Sequence, residues 1–214
     1  MDRSSIARWG FWQVVVASAY RRIKRLCGIH VYLVNSRPLA RLEQTELASG
    51  HEVRRVIPED TQSIIQVPEL GLDEVFLKQA FERGDVCIGY FVEGQLVSYF
   101  WCGFNQVPAE AGLVAEMGDG YSYAYKAQTL KDFRGQRLQE VLTHHNDHLL
   151  LENGLEQNIE YIDFANLPQR SASARYGNRT VGYITRIKFR DIDRLYHSNG
   201  AQRANFRFVF QPVV

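Results

Sequence analysis

The sequence has little cysteine, and no apolar run long enough to cross a membrane. Its three cysteines, Cys27, Cys87 and Cys102, are too few for a disulfide framework and too scattered for a CxxC metal site. The longest apolar run near the N-terminus, residues 9–20, is about a dozen residues long, too short to span a bilayer. These absences favour a reducing, cytoplasmic environment, and we expect a cytoplasmic protein.

The chain as a whole carries almost no excess of either charge, although basic residues are concentrated near the N-terminus. The formal net charge is only +1, yet the first 42 residues hold eight Lys or Arg against the single acid Asp2. The remainder is therefore acidic, which argues against a nucleic-acid partner for the bulk of the protein.

The N-terminal segment combines an apolar run with a basic block. Residues 9–20 read WGFWQVVVASAY, and Arg21, Arg22, Lys24 and Arg25 follow directly. A secretory signal peptide carries its basic residues first, so this order argues against a leader. We predict a helix here, which packs either on the protein's own core or on a partner subunit in a homodimer. Alternatively, residues 6–25 lie in the plane of a membrane surface, which would make the protein membrane-peripheral.

Hydrophobic periodicity and turn residues predict an α/β (α+β) fold. Predicted strands cover residues 30–34, 52–57, 86–92, 95–104, 121–130, 159–164, 182–189 and 205–210. Predicted helices begin at Pro58 and cover 72–83, 138–152 and 167–176. Residues 105–120 show no clear period and predict a loop. This order favours one core with a mixed, largely antiparallel sheet and helices on both faces.

One segment carries a recognisable binding pattern, the sequence TLKDFRGQRL from Thr129 to Leu138. A strand runs into an Arg-Gly turn that opens a helix, and the free N–H groups of a helix N-terminus form an anion site. Gly135 would let the backbone approach a pyrophosphate closely, with Arg134 and Arg137 as charged donors at its rim. The alternative is a plain helix start with solvated arginines.

From about Glu52 to Phe189 the chain resembles the GCN5-related N-acetyltransferase (GNAT) superfamily. The carrying segments are EVRRVIPED, LKDFRGQRLQEVL and DFANLPQRSASARYGNRTVGYI. The resemblance implies a GNAT-like domain over 51–214, after an extension over 1–50. It also implies that N–H groups of Gly135, Gln136, Arg137 and Leu138 hold the pyrophosphate of acetyl-CoA or another acyl-CoA. Thr129 and Leu130 would then run beside the pantetheine, with Asn166 as helix cap or coenzyme ligand.

The chain departs from the family pattern at three places. Arg137 replaces the usual central glycine and Gln139 a usual small residue, while Ser173 stands where a tyrosine is frequent and Tyr176 directly precedes Gly177. These departures leave open a degenerate domain that binds coenzyme A or an acyl chain without turnover.

The chemistry implied by the resemblance is N-acyl transfer, most simply N-acetyl transfer, by direct attack of an amine on the thioester. It needs a base for the ammonium and an acid for the departing thiolate. Tyr176 or Ser173 is the candidate acid, and Glu116 or Asp119 is the candidate residue that reaches the amine. The acceptor would be a small-molecule or peptide amine. A second alternative is a membrane-associated enzyme that takes long-chain acyl groups from an acyl carrier protein.

Two further patterns point to less specific roles. His144 and His148 lie four residues apart on a predicted helix, a spacing that can bind zinc, but the neighbouring glutamate and a third ligand are missing, so we predict no metal. The tyrosines at 121, 123 and 125 alternate along a strand and favour core packing over an acceptor pocket.

Overall fold

The computed structural model describes residues 10–41, 46–110 and 112–211, and it divides the chain into two units. The first unit consists of Met1–Arg37, Pro108–Gly118 and Ile159–Val214, and the second of Pro38–Val107 and Asp119–Asn158. Each unit contains strands of a largely antiparallel sheet. The predicted boundary between an extension and a GNAT-like domain at residue 50 stays a prediction.

The described elements alternate irregularly along the chain. The helices are α1 (Phe11–Cys27), α2 (Thr61–Ile65), α3 (Glu74–Glu82), α4 (Leu138–Glu152), α5 (Leu167–Arg175) and α6 (Asn199–Arg203). The strands are β1 (Ile29–Pro38), β2 (His51–Arg55), β3 (Val86–Val92), β4 (Gln95–Gly103), β5 (Gln106–Pro108), β6 (Leu113–Met117), β7 (Tyr121–Thr129), β8 (Gln157–Asp163), β9 (Arg179–Phe189), β10 (Ile192–His197) and β11 (Phe206–Phe210). Short 3₁₀ turns cover Pro58–Asp60, Pro68–Leu70 and Lys131–Phe133.

The second unit is built on four antiparallel strands in the order β7-β4-β3-β2. The predicted hairpin of β3 and β4 is confirmed, with Val92 paired to Gln95. Both turn residues have positive φ, 48° at Glu93 and 79° at Gly94, as a two-residue hairpin turn requires.

Both faces of this sheet are covered, because successive side chains of a strand point to opposite faces. Cys87 belongs to a buried cluster with Leu77 and Ala80 of α3, whereas its neighbour Ile88 belongs to another with Leu142 of α4. The continuous apolar run of β3 thus reflects burial on both sides. The predicted helices on both faces are confirmed for this unit.

The tyrosines of β7 pack rather than line a pocket. The rings of Tyr123 and Tyr125 stack at 6.0 Å, and Tyr125 donates to the carboxylate of Asp85 at 2.9 Å. Asp85 is itself buried and paired to Arg83 at 2.7 Å. This agrees with the predicted core role of the tyrosines.

The first unit contains strands in the order β10-β9-β1-β8, so the first strand of the chain lies inside the sheet. Strand β1 pairs antiparallel with β9 from Ile29↔Ile187 to Ser36↔Arg179, with a bulge after Val34. The same unit holds the pair β6 and β11. Strand β1, which the sequence predicts as a preliminary strand, is thus paired along most of its length.

One sequence-based prediction is wrong, and two short elements are not predicted. The segment 105–120 is not a loop throughout, because it contains β5 and β6, and β6 is matched residue for residue with β11. The sequence patterns also predict neither strand β10 nor helix α6. Each of these elements is six residues or shorter, too short to establish a clear period.

Helix α1 packs on the first unit through one face. Val14 and Ala17 are buried against Leu167 of α5, and Tyr20 accepts a hydrogen bond from the Val31 N–H at 2.7 Å. Lys24 pairs with Asp163 at 2.6 Å, and Gly28 ends the helix with a φ of 62°. Among the described helices, none is long and apolar enough to cross a membrane.

These contacts predict different outcomes for two N-terminal deletions. Removing residues 1–28 should keep a cooperative thermal transition while lowering the free energy of unfolding by about 3 to 5 kcal/mol, since a few buried side chains are lost. Removing residues 1–38 also takes out β1 from between β8 and β9, and should abolish the transition. Calorimetry of both variants measures this, and equal melting of the two would show that β1 is dispensable.

Candidate active site

The turn before α4 has an unusual backbone conformation. Gly135 has a φ of 82° and Arg137 a φ of 59°, both in the left-handed region, and α4 begins directly afterwards at Leu138. Residues 134–137 are all exposed, whereas Leu138 is buried and anchors the helix start. The local cause is Gly135, because glycine takes this conformation at no steric cost.

The N–H groups of this turn are free. Within the residues that the structure describes, those of Gly135, Gln136, Arg137 and Leu138 make no hydrogen bond, and the first backbone bond of the helix is Glu140 N–H to Arg137 O at 2.9 Å. A Cβ placed on Gly135 would meet no heavy atom within 4 Å, so the space above the turn is open. Exposed free donors at the positive end of a 15-residue helix form an anion-binding geometry.

The end of β7 is held rigidly beside the turn by Gln139. Its amide nitrogen lies 2.9 Å from Ser98 Oγ, 3.0 Å from the Tyr99 carbonyl oxygen and 3.1 Å from the Gln128 carbonyl oxygen. Ser98 Oγ also lies 2.8 Å from Thr129 Oγ1. A residue that departs from the family pattern thus cross-links β4 to β7, which accounts for a long polar side chain where a small one is usual.

Thr129 is bonded to the turn, and Leu130 is bonded to β4. Arg134 donates from Nε to the Thr129 carbonyl at 3.0 Å, and Leu130 donates its N–H to the Val97 carbonyl at 2.9 Å. All the predicted donor-site residues except Asn166 therefore lie in one continuous stretch of the second unit, from Thr129 to Leu138.

Arg137 is predicted to be strained, because a left-handed φ costs a residue with a Cβ about 1 to 2 kcal/mol. Arg137→Gly should therefore raise the free energy of unfolding by about 0.5 to 1 kcal/mol. This is the strain that is relieved minus the cost of glycine's larger conformational entropy in the unfolded state. The matched control is Arg134→Gly, at a φ of −71°, which should lower it. Urea denaturation compares the two, and a loss of stability in both would contradict the strain.

The first unit contains a separate polar cleft of about 440 Å³. It is formed by α1, β1, α5 and the start of β9. Its lining residues are Gln13, Leu33, Asn35, Leu167, Arg170, Ser171, Ser173, Ala174, Asn178 and Thr180. Ser173, one of the two candidate acids, therefore lines a cleft large enough for a small molecule.

A buried carboxylate lies behind Ser173. The Ser173 hydroxyl donates to Glu160, and the side-chain amide of Asn35 lies 3.3 Å from the same carboxylate oxygen. Thr180 in turn donates to Asn35 at 2.8 Å, which fixes the orientation of that amide. Glu160 is only 8% exposed, and burial raises the pKa of its carboxyl above the ordinary value despite these hydrogen bonds.

Asn178, one of the residues that line the cleft, contains an unsatisfied acceptor. Among the described residues, the buried side-chain oxygen of Asn178 has no hydrogen-bond partner. A buried polar atom without a partner costs about 1 to 3 kcal/mol.

The other predicted site residues have structural contacts of their own. Tyr176 is half-buried at the C-terminal end of α5, and Asn166 caps the N-terminus of that helix by accepting from Gln169 N–H at 3.2 Å. Glu116 on β6 pairs with Arg207 at 2.6 Å, and Asp119 is exposed in the second unit. Ser173, Tyr176 and Asn166 thus share one helix, whereas Glu116 lies on a strand and has a cation as its partner.

Sequence reasoning missed Glu160, although a signal was present. The carboxylate interrupts an otherwise apolar run, between Ile159 and Ile162. A charged side chain at such a position is either paired or functional. Among the described residues, no group of three His, Cys, Asp or Glu side chains is placed to hold a metal ion.

Comparison with solved structures identifies the architecture. A GCN5-related N-acetyltransferase from Sphaerobacter thermophilus matches 78% of this chain with a TM-score of 0.52 at 14% identity. The chain has the GNAT fold. A protein from Novosphingobium aromaticivorans described as a GNAT-family acetyltransferase matches 73% of the chain with a TM-score of 0.53 at 11% identity. A tandem GNAT protein from the clavulanic acid biosynthesis pathway matches 75% with a TM-score of 0.50 at 14% identity.

The GNAT likeness is one of fold alone, at these identities. This chain covers 54%, 62% and 55% of the three matched chains, respectively. No family model and no curated protein matches the sequence. The predicted fold class is confirmed, while the assignment of individual site residues stays a prediction.

Proposed function

We propose that the protein is an N-acyltransferase that moves an acyl group from a coenzyme A thioester to an amine. The observation that carries the proposal is the turn from Gly135 to Leu138, with its four free N–H groups at the start of α4. The GNAT fold supports it, because the Sphaerobacter thermophilus and Novosphingobium aromaticivorans acetyltransferases share this architecture over 78% and 73% of this chain.

The turn suits a pyrophosphate better than a single carboxylate. Four free donors in succession match the several oxygens of a pyrophosphate, which are spread over two phosphate groups, whereas a carboxylate presents only two oxygens on one carbon. Arg137 is exposed and adds mobile positive charge at the rim, while Arg134 is also exposed with its Nε held by Thr129. The phosphates of coenzyme A would therefore supply most of the binding free energy.

The polar cleft of the first unit is our candidate for the amine acceptor. An amine is a hydrogen-bond donor, and Ser173 Oγ in the cleft, which accepts one hydrogen bond from the Asn35 amide at 3.2 Å, keeps a second lone pair to receive it. The Ser173 hydroxyl already donates to Glu160, so it can pass a proton inward as it receives one from the amine. A carboxylate whose pKa is raised by burial is suited to a general base near neutral pH.

In this reaction the amine nitrogen bonds to the thioester carbonyl carbon, and the carbon–sulfur bond breaks. The amine proton passes through Ser173 Oγ to Glu160, and the thiolate leaves to be protonated. The assignment changes the role of Ser173 from acid to proton relay, while Tyr176 stays the candidate acid.

Thiol release from acetyl-CoA and longer acyl-CoAs, measured against a panel of amines, tests the proposal. Amine-dependent release is the expected result. Coenzyme A binding without release under any amine would favour the degenerate domain. Turnover only with acyl carrier protein as donor would favour the membrane-associated long-chain acyltransferase. Absence of any binding to coenzyme A or its thioesters would refute the donor site.

A further inference from the structure

We propose that α1 is a membrane-surface helix that attaches the protein to bilayers with anionic headgroups. The inference is independent of the acyl-transfer proposal, because it rests only on the outward face and the charge of this helix.

The outward face of α1 carries a continuous apolar stripe. Trp12, Val16, Ala19, Ile23 and Leu26 follow one another at steps of four, three, four and three residues, and all are exposed. That spacing places them in one line along the helix. The side chains that fix α1 to the protein, Val14, Ala17 and Tyr20, occupy a different face, so the stripe is not needed for folding.

The exposure of this stripe is large for apolar side chains. Trp12 is 75% exposed and Leu26 is 76% exposed, while Phe11 beside Trp12 is 53% exposed. The rings of Phe11 and Trp12 meet edge to face at 5.5 Å. Aromatic rings at one end of an amphipathic helix are typical anchors at the boundary between headgroups and acyl chains.

The positive charge of α1 favours an anionic membrane surface as the partner of this stripe. Helix α1 has no acidic residue, and Arg21, Arg22 and Arg25 are all exposed, whereas Lys24 is paired with Asp163. An apolar stripe confined to one face, together with an excess of cations, distinguishes a helix that lies in the membrane surface from one that spans the bilayer. Arg22 flanks the stripe, and its long side chain can extend to the lipid phosphates. Arg21 and Arg25 lie on the opposite side of the helix and add positive charge close to the membrane surface.

A second copy of the chain fits the same face less well. A stable homodimer buries about 800 Å² per partner, more than one stripe of five side chains supplies. Parallel pairing along the stripe would also bring the two copies of Arg22, which flanks the stripe, near each other without an acid between them.

Cosedimentation of the full-length protein with vesicles tests the proposal. Vesicles of phosphatidylcholine with about 30% phosphatidylserine should bind the protein, and pure phosphatidylcholine should bind it much less. Val16→Ser together with Ile23→Ser should lower the partition coefficient about tenfold or more, because two apolar side chains that would be buried in the bilayer are replaced by polar ones. Arg21→Gln, Arg22→Gln and Arg25→Gln combined should lower it about 100-fold on anionic vesicles, at about fivefold per cation.

The matched control is Val75→Ser, a 65%-exposed valine on α3 in the second unit, which should leave vesicle binding unchanged. All variants replace exposed residues, so their melting temperatures should match the wild type and report any loss of fold. No binding to anionic vesicles, or equal binding by the stripe variant, would overturn the proposal. Analytical ultracentrifugation showing a dimer that the stripe variant disrupts, without vesicle binding, would assign the face to a second copy instead.

Discussion

Gly135→Val should lower the affinity for coenzyme A by about 100-fold or more, close to 3 kcal/mol. Gly135 has a φ of 82°, and the space where a side chain would project is open. A branched side chain there would occupy the approach of a pyrophosphate and pull the turn out of the left-handed conformation. Both effects remove N–H donors from the ligand.

The matched control for this substitution lies at the other end of the same helix. Gly154 has a φ of 78° and equally open space around it, so Gly154→Val carries the same backbone strain far from the turn. Calorimetric titration with coenzyme A, and with its dephospho form, should show the loss in Gly135→Val alone. If both variants bind as the wild type does, the turn is not the donor site.

The donor site could be predicted from the sequence because it is local. Strand β7, the Arg-Gly turn and α4 follow one another, and the sequence predicts α4 with both of its ends, since Gly135 precedes it and Asn153-Gly154 closes it. The same is true of the hairpin at Glu93-Gly94, where the turn chemistry and the flanking apolar runs indicate one structure.

Long-range pairing could not be predicted in the same way. Nothing in the pattern of residues 29–38 indicates that this strand lies between β8 and β9, because its partners come more than a hundred residues later. Strand β10 could not be found either, because it packs little on either face and no apolar alternation marks it.

The acceptor cleft depends on the same kind of pairing. Asn35, Glu160 and Ser173 come from β1, β8 and α5, and they meet only once β1 is placed in the sheet. Sequence reasoning could find Ser173 from the family motif but not the carboxylate beneath it. The unpaired side-chain oxygen of Asn178 results from tertiary packing, and no sequence pattern predicts it.

Glu160→Gln should lower turnover by about 100-fold or more and leave the affinity for coenzyme A within a factor of about two, because it removes a proton acceptor and no donor-site contact. Glutamine keeps the size of the side chain and can still accept from the Ser173 hydroxyl. The control is Glu116→Gln, since Glu116 is the carboxylate that the sequence suggests for the amine and it pairs with Arg207. Turnover lost in Glu116→Gln and kept in Glu160→Gln would reverse the assignment of the base.

The same variant should change how stability depends on pH. Burial raises the pKa of Glu160 in the folded protein, so the folded state holds this proton more tightly than the unfolded state does. The stabilising effect is complete below the unfolded pKa and is lost as the pH rises through the raised folded value. Glu160→Gln stays neutral throughout, and its free energy of unfolding should therefore exceed that of the wild type increasingly over this interval and then level off. Urea denaturation at pH steps from about 4 to 8 measures the difference. A constant difference between the two proteins across that range would show that Glu160 does not titrate as a buried carboxyl, and would remove it as the proton acceptor of the cleft.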